Sequence, residues 1–196
     1  MLGKFAIIRH GPTEWNEQGR LQGQSDIPLS NSGRAKVKEW RLPVAYHKWN
    51  WFSSPMCRAQ ETARLLGLKP KSAPEVVEMH WGDWEGKTRE EIEKEFGKEF
   101  RERLRHGIDL RPKNGETPRE VRSRFEYWIT HISQKHEPFG VVAHQGIIRA
   151  ALSLATGWEM VGKPPFEMDW ESVHIFSINS KNRIEIENLN ISLKIA

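Results

Sequence analysis

Cysteine is all but missing: Cys57 is the sole one in 196 residues. A single thiol excludes an internal disulfide framework and any cysteine-based zinc cluster. Long apolar runs are missing too. The longest stretch free of Asp, Glu, Lys and Arg is Pro138 to Ile148, eleven residues, whereas a membrane-spanning helix needs about 20. The chain leads straight from Met1 into a strand-like run at Phe5 with no secretory leader pattern, so the expected location is cytoplasmic. Charge of one sign is not in excess: 30 Lys and Arg against 26 Asp and Glu leave +4. The densest basic cluster, Arg101, Arg103, Arg105, Arg111 and Lys113, is diluted by Glu102 and Asp109. That is a solvated helix face or an attractor of a small anion, not a nucleic-acid stripe. His131 and His136 lack the spacing of a zinc-binding helix, and no metal or other cofactor is expected. Repeats, linkers and low-complexity tracts are absent, so 1–196 reads as a single domain.

What is present alternates between two periods. Phe5 to Ile8, Asn50 to Ser53 and Gly140 to Ala143 are short apolar runs of the kind found in buried strands. Between them, helical spacing predicts helices over about 32–41, 58–66, 88–105 (interrupted near Gly97), 117–136 and 146–155. Residues 12–30 read as a loop, Glu75 to Val77 as a brief strand, and 173–178 with 183–189 as a hairpin. Strands alternating with helices predict an α/β fold, a three-layer αβα sandwich around a largely parallel central sheet. Ligands bind such sheets beyond the carboxyl ends of the strands. Three segments therefore converge: Arg9-His10-Gly11, Ser54 to Arg58, and His144-Gln145-Gly146.

These segments do not stand alone. The first continues through Pro12-Thr13-Glu14-Trp15-Asn16, Gly19-Arg20-Leu21-Gln22-Gly23 and Asp26-Ile27-Pro28-Leu29-Ser30 to Gly33. Then come Ser53-Ser54-Pro55-Met56-Cys57-Arg58, Glu78 ahead of Gly82-Asp83-Trp84-Glu85-Gly86, and His144-Gln145-Gly146-Ile147-Ile148-Arg149. In this order and spacing the chain resembles the histidine phosphatase superfamily, the phosphoglycerate mutase-like proteins, from Phe5 to about Phe176. The resemblance implies that fold, and implies His10 as a nucleophile that forms a phosphohistidine. Arg9, Arg58 and His144 would hold the phosphoryl oxygens. Thr13, Asn16, Gln22, Gly23 and Gln145 would complete the phosphate site, with a lid-like helical segment at about 87–114. Arginine forks match phosphate geometry, and an in-line nucleophile with preorganised positive groups is what phosphoryl transfer requires.

For the proton that the leaving alkoxide needs, Glu78 matches the family position, while composition alone leaves Asp83 and Glu85 open. Cys57 fails as a phosphatase nucleophile because the residue six further on is Ala63, not arginine; it reads as a buried small hydrophobe. His80 and His106 are further candidates for the pocket walls. The short segment from Gly86 to Gly115 and the Gln145-Gly146 continuation resemble the small phosphatases, which include broad-specificity and α-ribazole phosphatases. A metal-independent phosphomonoesterase acting on small phosphate esters is expected. A cofactor-dependent phosphoglycerate mutase, or a protein phosphatase or phospho-ligand-binding module, are the alternatives. A homodimer through a sheet edge is compatible with the pattern, which does not define the oligomeric state.

Overall fold

The computed structural model describes residues 3–133 and 137–194. Its centre is a six-stranded sheet in the order β3-β2-β4-β1-β5-β6. The strands are β1 (Gly3–Arg9), β2 (Asn50–Ser53), β3 (Lys71–Ser72), β4 (Phe139–Ala143), β5 (Ser172–Ile178) and β6 (Ile184–Ser192). The helices are α1 (Glu14–Glu17), α2 (Asn31–Glu39), α3 (Cys57–Leu65), α4 (Arg89–Leu104), α5 (Pro118–Ser133) and α6 (Gln145–Thr156). Strands β3, β2, β4 and β1 run parallel, while β5 pairs antiparallel with β1, and β6 with β5. The sheet is thus mixed: a parallel half that carries the site and an antiparallel hairpin beside it.

Period-two alternation along β1 splits the core into two layers. Phe5 and Ile7 face one cluster with Phe125, Ile129, Ile147 and Leu152 from α5 and α6. Ala6 and Ile8 face the other, with Val37 from α2 and Ala59 and Ala63 from α3. Helices therefore cover both faces, and strands buried on both sides read as unbroken apolar runs. On the first face Phe5 stacks between Phe139 and Phe176, at centroid distances of 5.7 and 5.3 Å. No helix among the described residues is long and apolar enough to cross a membrane.

Two local expectations need correction. Glu75 to Val77 is not a strand: Pro74–Val76 form a single 3-10 turn after the two-residue β3. Pro74 has no N–H for a ladder, and the Glu75 carbonyl is taken by Arg124 Nη1 at 2.6 Å. The 12–30 segment is not all loop, because Thr13 closes a reciprocal capping box with Asn16 and nucleates α1. The interruption in α4 falls at Gly97, whose φ of 47° and ψ of −113° are non-helical. The expected end of the fifth helix at His136 lies outside the described residues.

Candidate active site

The site grows from strand register. Arg9 pairs with Ala143 at the ends of β1 and β4, and the His10 amide donates to the Ala143 carbonyl at 2.9 Å. The Ser54 amide reaches the Val142 carbonyl at 3.0 Å on the other side of β4. His10, Ser54 and His144 thus leave adjacent strands at one edge. The two imidazoles meet edge to face, centroids 5.1 Å apart.

His10 is 5% exposed. Its Nδ1 lies 2.7 Å from the Gly11 carbonyl, which accepts only from an Nδ1–H tautomer; the Nε2 lone pair is then free. Burial first, then the Arg9 and Arg58 charges, push its pKa well below the ordinary histidine value, so the ring is neutral at pH 7. His144 is fully buried, with Nε2 2.8 Å from Ser54 Oγ and Nδ1 buried without a partner among the described residues. Burial, His10 and the arginines hold it neutral as well.

Arg58 enters from the first turn of α3. Its Nη1 and Nη2 donate to the Ser25 and Gly23 carbonyls at 2.8 and 2.7 Å, leaving Nε buried without a partner among the described residues. The Arg9 Nε is likewise buried without a partner among the described residues, and its guanidinium lies 5.2 Å from the Trp170 ring. Burial lowers Arg9 to about 10, opposed by Glu78, so it stays a cation at neutral pH. Glu78 Oε1 accepts from the Met79 amide at 2.8 Å and the Gly146 amide at 3.1 Å. A Cβ on Gly146 would overlap that oxygen, which explains glycine at the start of α6.

These groups line one cavity of about 350 Å3. Arg9, His10, Asn16, Gln22, Gly23, Arg58, Glu78 and Gln145 all reach its walls. Thr13 does not: it is fully buried, and its hydroxyl is engaged with Asn16 as the cap of α1. Asn16 spends Oδ1 on that cap, which leaves its Nδ2 amide as a donor. His144 sits behind the wall beside His10 rather than in it. His80 and His106 are off the walls. Of the three carboxylates left open by composition, Glu78 alone lines the cavity. Glu85 is tied to the Gln24, Ser25 and Trp81 amides, and Asp83 to Asn114 Nδ2. Cys57 is half-buried rather than buried, and burial together with Asp26 raises its thiol to about 11, so it carries no thiolate at pH 7.

Arg149 and Arg20, which stand in the motif runs without an assigned role, and Arg89, which does not, also line the cavity. Arg149 stands one helical turn after Gln145, and that i, i+4 spacing was the available signal. Arg124 has none. From α5 it donates to the Glu75 and Glu78 carbonyls and pairs with Glu116 at 2.8 Å, bracing the Glu78 loop from behind.

An αβα protein with a cavity at its parallel strand ends, lined by cations and the neutral His10, is built to receive an anion. The chain belongs to the histidine phosphatase superfamily (branch 1), whose family model matches residues 5–192. Among relatives, a 2,3-bisphosphoglycerate-dependent phosphoglycerate mutase 2 from Gloeobacter violaceus is 30% identical over 168 residues, 77% of this chain and 74% of that protein. Phosphoserine phosphatase 1 from Hydrogenobacter thermophilus is 26% identical over 96% of this chain and 92% of its own. The crystal structure of the α-ribazole phosphatase from Shigella flexneri superposes with a TM-score of 0.79 at 26% identity, covering 98% of both chains. Family and relatives together indicate a phosphatase enzyme, with mutases among its kin.

Proposed function

We propose that the protein is a phosphomonoesterase that hydrolyses small organic phosphate esters through a phosphohistidine on His10, without a metal ion. The observation that carries this reading is a neutral His10 with Nε2 free, in a cavity also lined by Arg9 and Arg58, whose Nε atoms are buried without partners among the described residues. Those donors meet the equatorial oxygens of a phosphoryl group, the work a divalent ion does elsewhere. His10 Nε2 forms the N–P bond as the ester P–O bond breaks, and protonated Glu78 gives its proton to the departing oxygen. Water then attacks phosphorus, Glu78 takes the water's proton, and the P–N bond breaks to release phosphate and restore neutral His10. The 87–114 segment acts as a lid through α4, which contributes Arg89, Ile92, Phe100 and Leu104 to the walls.

The test is single-turnover trapping with 32P-labelled ester. Wild type accumulates acid-labile phosphate in excess EDTA, and His10→Ala forms none and loses steady-state phosphate release. Near-wild-type turnover by His10→Ala refutes the mechanism, and a loss in EDTA restored by a divalent ion refutes metal independence. The mutase reading has the Gloeobacter violaceus relative in its favour. Fast isomerisation of 3-phosphoglycerate with added 2,3-bisphosphoglycerate, with little free phosphate, would replace hydrolysis by that activity.

A further inference from the structure

The cavity has two chemically different ends. One carries Arg9, His10, Arg58 and Glu78; Leu21, Trp81, Ile92, Phe100, Leu104 and Met160 supply an apolar wall, with Gln22, Arg20, Arg89 and Arg149 also in the lining. About 350 Å3 is several times what a phosphoryl group fills, so the cavity has room for an organic leaving group beside these apolar side chains. Both halves of α4 contribute to this annex, Ile92 before the Gly97 break and Phe100 and Leu104 after it. Trp81 stacks on the buried Trp84 at 6.1 Å, and Trp84 meets Phe100 edge to face at 5.1 Å, which fixes the aromatic wall. Polar lining residues beside these walls include Arg20, engaged with the Gly86 carbonyl and Glu91, the exposed Arg89, and Gln22 and Arg149.

We propose that this annex is the leaving-group subsite and that it takes an uncharged hydrocarbon or aryl alcohol; the proposal rests on the phosphomonoesterase reading above. A polyhydroxylated sugar gains less, because hydroxyls set against these six apolar side chains would lose water without replacement, and only those reaching Gln22 or the arginines would be repaid. A quaternary ammonium head group would find aromatic faces, but the Arg89 guanidinium already lies 5.8 Å from the Phe100 ring. Arg9, Arg58 and Arg149 share the same cavity, so a second cation there meets like charge. A short acid such as 3-phosphoglycerate leaves the apolar walls uncovered. Burying a methylene chain against them is the gain that remains.

Calorimetric binding of ethyl-, butyl- and hexylphosphonate tests this without requiring turnover. Affinity rises by about threefold per methylene, roughly 10²-fold from ethyl to hexyl. Leu104→Asn cuts the hexyl-to-ethyl ratio severalfold. Met160→Ser, in a loop, does the same should Leu104→Asn fail to fold. In turnover, hexyl phosphate exceeds ethyl phosphate in kcat/KM by a similar ratio, since their leaving groups are equally poor. A flat phosphonate series overturns the inference, as does tighter binding of 3-phosphoglycerate or phosphocholine than of hexylphosphonate. A steep phosphonate series with no ester hydrolysed keeps the annex and refutes the hydrolase reading instead.

Discussion

At Glu78 the position of one proton separates two roles. The carboxylate accepts two backbone N–H groups, and Arg9, Arg58 and Arg149 all feel its charge. A group held so firmly could donate a proton or merely shape the cavity. Leaving-group dependence tells them apart. An alkyl alkoxide needs protonation as it departs, while p-nitrophenolate hardly does. Glu78→Gln keeps the shape and removes the acid, so alkyl phosphates slow by about 10²–10⁴-fold and p-nitrophenyl phosphate far less. Equal losses on both esters would make Glu78 a positioning residue. Residues that follow strands were legible in sequence: His10, Arg58 and His144 come straight off β1, β2 and β4 or the turns beyond them. Arg89 was not, because it reaches the cavity from α4 through tertiary packing, which leaves no local trace, and Arg20 stood inside a quoted motif run without a role of its own.

The loop after His10 shows how an element can serve a site it does not line. Thr13 stands within the phosphate motif by sequence, yet its hydroxyl accepts from the Asn16 amide at 3.2 Å and donates to Asn16 Oδ1 at 3.1 Å. It aims Asn16 by capping α1. Thr13→Ala therefore costs about 1 kcal/mol of stability, and it frees the Asn16 amide so that kcat/KM falls while Thr13→Ser, which keeps the cap, stays near wild type. Equal loss in both variants, read by urea denaturation and steady-state kinetics, would give the Thr13 methyl group the role assigned here to its hydroxyl. The same local logic made most elements readable. Asn50 to Ser53 matches β2 residue for residue, and Thr117 caps α5 with Glu120 as its spacing implies. It failed at 75–77, where β propensity in Val76 and Val77 lost to the preceding Pro74 and to the distant Arg124. Nothing in the neighbouring sequence announces a carbonyl captured from α5.

Over the whole molecule, histidines buried as neutral rings couple stability to pH. His10 and His144 sit at the site; His174 lies on β5, fully buried between β1 and β6. Its Nδ1 accepts from the Asn190 amide at 3.2 Å, and Nε2 is buried without a partner among the described residues. Burial, only partly opposed by Asp169, lowers its pKa to about 4. The unfolded chain, with an ordinary histidine near 6.5, binds the proton first. Stability is therefore full above about pH 6.5, falls as the pH drops, and levels off below about pH 4, where both forms are protonated. The complete swing from His174 is on the order of 3 kcal/mol, with about 2 kcal/mol of it lost by pH 5. Against a total of about 5–15 kcal/mol for an ordinary domain, that makes the protein acid-sensitive, and His10 and His144 pull in the same direction. His174→Asn keeps an acceptor for the Asn190 amide but cannot titrate. It lowers stability at pH 7 by opening space, yet the drop between pH 7 and pH 5 in urea unfolding shrinks by about 2 kcal/mol. An unchanged drop would mean that His174 is already protonated in the folded chain, or that the acid loss arises wholly at His10 and His144.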